Sequence, residues 1–264
     1  MTTAIIGTGV MGEALLAGFM RAGMPKSEFI ATSRRADRTE EIAAKYGVQV
    51  LPNSEAVAKA DVVLLMVKPQ DMPTVLGEIA PTLNKGALVI SFAAGFPISK
   101  IEAALASGTP VIRVMPNTPA LVDQGMTAIS PGTHCTNDHL ETAEKLVNSV
   151  GLSVRVPEKY QDAVTAISGS GPAYIFYVVE AMIESGVMLG LPRDVSTELV
   201  YQTVMGAATM LKETNTHPTV LREQVTSPGG TTVAALRQFD DFKVRAAFMS
   251  AMEAARNRSR ELGS

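Results

Sequence analysis

The stretch Ala4-Ile5-Ile6-Gly7-Thr8-Gly9-Val10-Met11-Gly12, near the start of the chain, decides the fold. Its first three residues form a short apolar run that predicts a buried strand, and a G-x-G-x-x-G turn follows at once. Gly7 allows the tight turn, Gly9 lets a pyrophosphate approach the backbone, and Gly12 allows a helix to pack closely on the strand. The pattern predicts a Rossmann-type dinucleotide site; the alternative is a structural turn that binds no nucleotide.

Apolar runs of strand length alternate with helical segments through the first half of the chain, which predicts a parallel, doubly wound α/β sheet. The run from Asp61 to Val67 is almost wholly apolar, as expected for a strand covered on both faces. Asn53 is predicted to cap a helix that continues to Lys59. We expect an NADP-binding Rossmann-like domain over residues 1–157.

After Pro157 the apolar segments have helical length, so residues 158–264 are expected to form an all-helical C-terminal domain. Another Gly-rich turn, Ser168-Gly169-Ser170-Gly171-Pro172-Ala173, is predicted to open one of its helices, with Ser170 or Gly171 as the cap. This half is rich in Ala, Met and Gly, and we expect its apolar surface to pack against another subunit. An intramolecular bundle is the alternative.

The end of the second predicted strand indicates which dinucleotide is bound. An NAD-specific site usually places an acid there, whereas this chain reads Thr32-Ser33-Arg34-Arg35, with Arg38 close behind. A hydroxyl and guanidinium groups would bind the 2′-phosphate of NADPH, which an acid would repel. NADPH is therefore the expected cofactor, with NADH possible but less preferred; a solvated loop is the alternative for both arginines.

Two further segments follow predicted strands, where ligands of open α/β sheets bind. The small residues Ala93, Ala94 and Gly95 would let a nicotinamide ring lie against the backbone. Val67-Lys68-Pro69 ends the preceding strand, and a positioning role for Lys68 is favoured over proton donation because Pro69 fixes the chain beside it.

A second Gly-rich turn that could bind an anion lies near the C-terminus, in Thr226-Ser227-Pro228-Gly229-Gly230-Thr231-Thr232, and leads into a helix. Backbone N–H groups, hydroxyls and the helix dipole favour a negative group there. Asn117, in the loop Arg113-Val114-Met115-Pro116-Asn117-Thr118-Pro119, offers a polar contact near the nicotinamide pocket.

Together these blocks resemble pyrroline-5-carboxylate reductase, and they run in family order across nearly the whole chain. The blocks are Ile6–Gly12, Val67–Pro69, Arg113–Pro119, Ser168–Tyr174 and Val225–Thr232. The resemblance implies NADPH-dependent reduction of 1-pyrroline-5-carboxylate to L-proline, the final step of proline biosynthesis. It also implies interlocked homodimers built from the helical half, often assembled into larger rings.

The resemblance carries roles onto particular residues. It implies that Ser227, Gly230, Thr231 and Thr232 hold the substrate carboxylate, and that Thr232 also faces the ring nitrogen as hydrogen-bond or proton donor. The cofactor contacts that it implies are Ile6, Gly7, Thr8, Gly9, Val10, Met11, Ser33, Asn53, Val67, Lys68, Pro69, Ala93, Ala94 and Gly95. Some family members use a Glu before His217-Pro218, where this chain reads Thr214-Asn215-Thr216.

Two alternative functions are a related type of dehydrogenase and a protein that binds NADP without catalysis. A β-hydroxyacid dehydrogenase needs a general base, normally a Lys in the helix after a Gly-rich turn, and the helix from Pro172 to Val178 contains no Lys. A non-catalytic NADP-binding sensor would have no use for the second anion-binding turn.

The composition of the chain bears on its partners, its cellular location and metal binding. The formal net charge of −3 gives no general attraction to nucleic acid or to an anionic membrane. One cysteine allows no internal disulfide, which favours a cytoplasmic enzyme, and the three histidines have no metal-ligand spacing, so no metal is expected. The N-terminus reads as a strand rather than a leader, and no run reaches the about 18 apolar residues of a membrane span.

Overall fold

The computed structural model describes residues 1–263 and forms an eight-stranded sheet in the order β3-β2-β1-β4-β5-β6-β7-β8. The strands are β1 (Thr3–Ile6), β2 (Phe29–Ala31), β3 (Gln49–Val50), β4 (Val62–Leu65), β5 (Leu88–Ser91), β6 (Val111–Met115), β7 (Gly125–Pro131) and β8 (Gly151–Arg155). The strand order reverses direction between β1 and β4, which is the place where open α/β sheets bind ligands.

Helices cover both faces of this sheet, as the apolar strands require. They are α1 (Val10–Arg21), α2 (Ala36–Tyr46), α3 (Asn53–Lys59), α4 (Met72–Ile79), α5 (Ile98–Ala104) and α6 (Asn137–Val147). One core cluster contains Ile5 with residues of α1, α2 and α6, and the other contains Ile6 with residues of α3, α4 and α5. Neighbouring residues of β1 therefore point to opposite cores, which confirms the doubly wound arrangement.

The expectation of a wholly parallel sheet is wrong at one edge. Strand β7 runs antiparallel to β6, with Val114 opposite Ile129, while β8 is parallel to β7. The connection from Met115 to Gly125 contains only one short 3₁₀ turn, over Thr118–Val122. Such a connection is too short for the crossover helix that a parallel neighbour needs, so the chain returns in the opposite direction.

The described chain separates into two compact units, one of Met1–Ser170 with the residues from Ala255 onwards, and one of Gly171–Ala254. We call them the sheet unit and the helical unit. The remaining helices are α7 (Gln161–Val164), α8 (Gly171–Met188), α9 (Arg193–Thr214), α10 (Pro218–Gln224), α11 (Thr231–Asp241) and α12 (Val244–Gly263). The expected domain boundary at residue 157 stays a prediction.

The helical unit has almost no core of its own. Ser196 and Val200 are its only buried residues, whereas Phe176, Tyr177 and Met188 are 65%, 75% and 80% exposed. An exposed apolar surface of this kind normally marks an interaction surface. An intramolecular bundle, the alternative to a subunit interface, would have buried these side chains within Gly171–Ala254.

The Gly-rich stretch from Ser168 is only partly as expected. Helix α8 begins at Gly171, with Ser170 in a bend directly before it, as predicted, but Thr165–Gly169 is a π-helical segment in which the N–H of Ser170 bonds the carbonyl of Thr165 at 2.8 Å. By length and composition alone, the helical run Glu158–Met188 is apolar enough to cross a membrane, a test that a helix of a soluble protein can also pass. It does not contradict the expectation that no run of about 18 apolar residues occurs, because Glu180 and Glu184 interrupt it.

Candidate functional site: a dinucleotide cavity and an anion-binding turn

A cavity of about 770 Å³ opens at the carboxyl ends of β1, β2 and β4 in the sheet unit. Most of the cofactor residues expected from the sequence line it: Ile6, Gly7, Thr8, Gly9, Val10, Met11, Ser33, Arg34, Arg35, Asn53, Val67 and Lys68. They come from four segments that are far apart in the sequence and follow β1, β2, β3 and β4. The parallel pairing of β1 with β2, of β2 with β3 and of β1 with β4 brings these segments to one edge of the sheet.

The Gly-rich turn leaves open the space that a pyrophosphate needs. A Cβ placed on Gly9 would meet nothing within 4 Å, and Gly9 caps α1 without a side-chain hydrogen bond. The first N–H groups of α1 are therefore available to an anion, as at other nucleotide-binding helix termini. A Cβ on Gly12 would overlap the carbonyl oxygen of Gly7, so the packing reason expected for Gly12 holds.

Thr8 and Thr32 join the first two loops of the cavity. The hydroxyl of Thr8 donates to the carbonyl of Thr32 at 2.9 Å, and the N–H of Gly7 donates to the hydroxyl of Thr32 at 3.0 Å. Both threonines are buried, which makes these bonds part of the frame rather than ligand contacts. No role for the hydroxyl of either residue is predicted by the motifs.

The three arginines that follow β2 differ in their exposure and in their hydrogen-bond partners. Arg34 reaches Asp71 at 3.1 Å and Arg35 pairs with Asp37, and the guanidinium groups of both are largely exposed. Arg38 is less exposed; it pairs with Glu13 and donates to the carbonyl of Thr8 at 3.3 Å. Arg34 and Arg35 remain accessible to a ligand phosphate, whereas Arg38 supports the Gly-rich turn.

Glu13 is the centre of this support. Its carboxylate accepts a hydrogen bond from Lys45 at 2.8 Å and from Tyr46 at 2.9 Å, besides its pair with Arg38. The hydrogen bond from Lys45 is the largest of the effects that lower the pKa of Glu13 to about 2, against the opposing effect of burial. This cluster ties α1 to α2 beside the turn.

The other expected cofactor residues lie at the same edge of the sheet without lining this cavity. Gly95 follows β5, and a Cβ there would come within 3.3 Å of Ser259 and Gly263 at the end of α12. Because Gly95 has no side chain, the end of α12 can lie close to its backbone. The residues in this group are Gly12, Pro69, Ala93, Ala94 and Gly95.

The expected cap at Asn53 is wrong, although its place in the cavity wall is as expected. Pro52 occupies the cap position of α3, and the amide of Asn53 donates instead to Glu78 at 2.9 Å. The side chain is turned toward α4 and so leaves the N–H groups of its own helix without a side-chain cap.

The second anion-binding turn lies in the helical unit, at the start of α11. Gly229 has a φ of 69°, the N–H of Gly230 bonds the carbonyl of Ser227 at 3.0 Å, and α11 begins at Thr231. Gly230 caps the helix with no side-chain hydrogen bond, so the N–H groups of Thr231 and Thr232 are open to a ligand. A Cβ on Gly230 would overlap the hydroxyl of Ser227.

The loop after β6, which contains Pro116 and Pro119, has structural contacts that were not predicted from the sequence. The side-chain oxygen of Asn117 accepts a hydrogen bond from the N–H of Met126 at 2.8 Å, which leaves its NH₂ group for any ligand. Arg113 is 5% exposed and pairs with Glu158 at 3.2 Å. The oxygen of Asn117 thus helps to hold β7, and the expected contact of this residue with a ligand stays a prediction.

Among residues 1–263, no group of three His, Cys, Asp or Glu side chains could hold a metal ion. The site consists instead of backbone N–H groups, hydroxyls and guanidinium groups. Cavity volume, the open face of Gly9 and the accessible arginines all fit a dinucleotide that carries phosphates.

Comparison with known proteins agrees with this geometry. Residues 2–95 match the family model described as NADP oxidoreductase, coenzyme F420-dependent, and residues 158–262 match that described as pyrroline-5-carboxylate reductase dimerisation. The fold and the site therefore define an NAD(P)H-dependent oxidoreductase with a helical dimerisation domain.

Full-length relatives identify the family. The chain is 45% identical to a pyrroline-5-carboxylate reductase of Corynebacterium melassecola over 99% of its own length and 98% of the relative. The structure of the enzyme from Coxiella burnetii superposes with a TM-score of 0.94 at 36% identity, covering 100% of this chain and 98% of that one. That of Plasmodium falciparum pyrroline carboxylate reductase with NADP bound gives 0.90 at 31%, with 100% and 98% covered. The chain belongs to the pyrroline-5-carboxylate reductase family.

Proposed function

We propose that this protein reduces 1-pyrroline-5-carboxylate to L-proline, the last step of proline biosynthesis, with NADPH as the preferred cofactor and NADH as a poorer one. The observation that carries the proposal is that two separate Gly-rich turns, at Gly9 and at Gly230, open helices without a side-chain cap, and that only the first lines the dinucleotide cavity. The second turn needs another negatively charged ligand, and the carboxylate of this substrate is of suitable size and charge.

In this proposal the turn of α11 binds the substrate carboxylate. The N–H groups of Thr231 and Thr232 point out of an uncapped helix terminus, and the dipole of an eleven-residue helix adds a favourable positive potential. The hydroxyl of Ser227 and the backbone of Gly230 complete the contact. Gly229, with its left-handed φ of 69°, holds the turn in this conformation.

In this proposal, the reaction depends more on the orientation of the substrate than on proton transfer by a side chain. NADPH supplies a hydride to the imine carbon when it is bound, and a protonated cyclic imine already carries the positive charge that accepts it. The chain's contribution is to fix the ring by its carboxylate and to place the hydroxyl of Thr232 beside the ring nitrogen. Thr232 is therefore proposed as the catalytic residue, with Asn117 as a further substrate contact and Lys68 as a positioning residue.

The deciding experiment measures the loss of NADPH absorbance after addition of 1-pyrroline-5-carboxylate, with NADH in a parallel assay. A 3-hydroxyacid with NADP⁺ tests the dehydrogenase alternative in the same buffer. We expect consumption of NADPH, slower consumption of NADH, and no reduction of NADP⁺ by the hydroxyacid. Absence of any turnover, together with tight NADPH binding, would favour a sensor.

We also propose that the protein is a homodimer that pairs through the helical unit, and that dimers assemble into a larger ring. Support comes from the exposed apolar side chains of α8 and α9, among them Phe176, Tyr177 and Tyr201, in a unit that buries only two residues. Sedimentation of the purified protein would test this. The variant Tyr201→Glu should weaken association, because it would place a charge on the exposed apolar surface of α9 that is proposed to pair.

A cytoplasmic location is proposed from the single cysteine, Cys135, which is free and half-buried. Neither a nucleic acid nor a membrane is proposed as a partner, since the net charge of −3 offers no attraction to phosphate-rich surfaces.

A further inference from the structure

Two exposed arginines line the dinucleotide cavity, and each pairs with a different aspartate. The two aspartates differ in whether they line the cavity themselves. Arg35 pairs with Asp37, two residues further along in the first turn of α2, and Asp37 does not line the cavity. Arg34 pairs at 3.1 Å with Asp71, which follows β4 and lines the cavity itself. The Arg34–Asp71 pair thus links the loop after β2 to the loop after β4.

The position of Asp71 makes it a competitor for the phosphate of the cofactor. A ribose 2′-phosphate bound by Arg34 would have to replace the Asp71 carboxylate or share the guanidinium with it. Both groups are negatively charged, so sharing brings like charges together in the same cavity. A 2′-hydroxyl, as in NADH, carries no charge and meets no such repulsion.

We propose that Asp71 is a specificity-determining residue that competes with the 2′-phosphate for Arg34 and thereby lowers the preference for NADPH over NADH. This inference rests on the proposed use of NADPH. Its size is limited by exposure: the side chain of Arg34 is 76% exposed and that of Asp71 is 30% exposed. Exposed ion pairs are weak, which corresponds to an effect on binding of about 2- to 5-fold.

The test is calorimetric titration of the full-length Asp71→Asn variant with NADP⁺ and with NAD⁺, without substrate. NADP⁺ should bind about 2- to 5-fold more tightly than to the unaltered protein, and binding of NAD⁺ should not change. The gain should shrink between low salt and 0.5 M salt, since the groups involved are exposed. An equal gain for both dinucleotides, or none for NADP⁺, would overturn the proposal.

Two further variants separate this effect from a general change of charge. Asp123→Asn also breaks an exposed Arg–Asp pair, with Arg21 at 2.6 Å, but lies outside the cavity lining, and Asn tolerates its φ of 58°. It should leave both affinities unchanged. In the double variant Arg34→Gln, Asp71→Asn, the selective gain should be lost relative to Arg34→Gln alone.

The role of Asp71 would be refuted if Asp123→Asn also raised the affinity for NADP⁺ selectively. It would also be refuted if Asp71→Asn still raised that affinity in a protein that lacks Arg34. The titrations contain no substrate, so they test the role of Asp71 independently of the proposed reaction. If the protein binds both dinucleotides but does not reduce 1-pyrroline-5-carboxylate, the proposed reaction is refuted and the role of Asp71 can still be decided.

Discussion

Replacing Gly9 by alanine should separate cofactor binding from folding. Gly9 lies in extended backbone, with φ −74° and ψ −165°, a conformation open to alanine. Its Cβ would meet nothing within 4 Å in the protein, so the fold has room for the methyl group. That same space is where a pyrophosphate would approach the N–H groups at the start of α1.

The expected loss follows from one displaced contact. A hydrogen bond from a backbone N–H to a charged phosphate contributes about 1.5–3 kcal/mol. Losing one such bond weakens binding roughly 10- to 150-fold. The free energy of unfolding of the cofactor-free protein should stay the same or rise by about 0.4–1 kcal/mol, because alanine restricts the unfolded chain.

Gly12→Ala provides the contrasting control. Its Cβ would overlap the carbonyl oxygen of Gly7, which is backbone and has little freedom to move. Helix α1 must then shift, and overpacking of this kind typically costs about 1–3 kcal/mol of stability. This variant should lose both thermal stability and affinity for NADPH.

The assay is fluorescence titration with NADPH, paired with thermal unfolding of the same samples without cofactor. For Gly9→Ala we expect a raised Kd at an unchanged or slightly higher Tm. A Kd equal to that of the unaltered protein would show that no phosphate passes over Gly9, and the interpretation of the turn would be wrong. A lowered Tm would contradict the open space found at this position.

Three other predictions concern the substrate turn and the support of the cofactor loop. Thr232→Ala should reduce kcat/KM about 2- to 12-fold, as for one neutral hydrogen bond; unchanged kcat and KM at saturating NADPH would remove Thr232 from the site. Gly229→Ala forces a side chain into the left-handed φ of 69° and should cost about 1–2 kcal/mol of local stability, seen as a raised KM for the imine at unchanged Kd for NADPH. Glu13→Gln should lower Tm at pH 7. The folded-state pKa of Glu13, about 2, lies below its ordinary value of 4.5, so its contribution is present above pH 4.5 and is lost as the pH falls toward 2. The Tm difference between the two proteins should therefore close over this range; a constant gap would contradict the role of the charge.

The sequence predicted the parts of the fold that depend on local pattern. The Gly spacing after β1 and the alternation of apolar runs and helices are sufficient for a doubly wound sheet, because each needs only neighbours in the chain. The antiparallel return at β7 was missed, since the direction of a strand depends on its connection rather than on its own residues. The π-helical segment at Thr165–Gly169 was hidden by glycines that usually indicate a turn.

The same division applies to the candidate site. Gly7, Gly9 and the arginines after β2 could be placed from motif and charge, and the cavity contains them. Asp71 was not foreseen as a wall residue, although it stands three residues after Lys68 in the same loop. Its pairing with Arg34 joins positions 37 residues apart, and only the parallel neighbours β1, β2 and β4 make that contact possible.

In the proposed dimer, a helical unit that buries only Ser196 and Val200 would make the stability of the protein depend on its concentration. When folding and association are coupled, each tenfold dilution removes about 1.4 kcal/mol from the stability of the folded dimer. A freshly synthesised chain is then most vulnerable to proteases while it is scarce, and raising its abundance protects every copy. Two variants with the same defect could therefore differ in activity in the cell solely because one is made faster than the other.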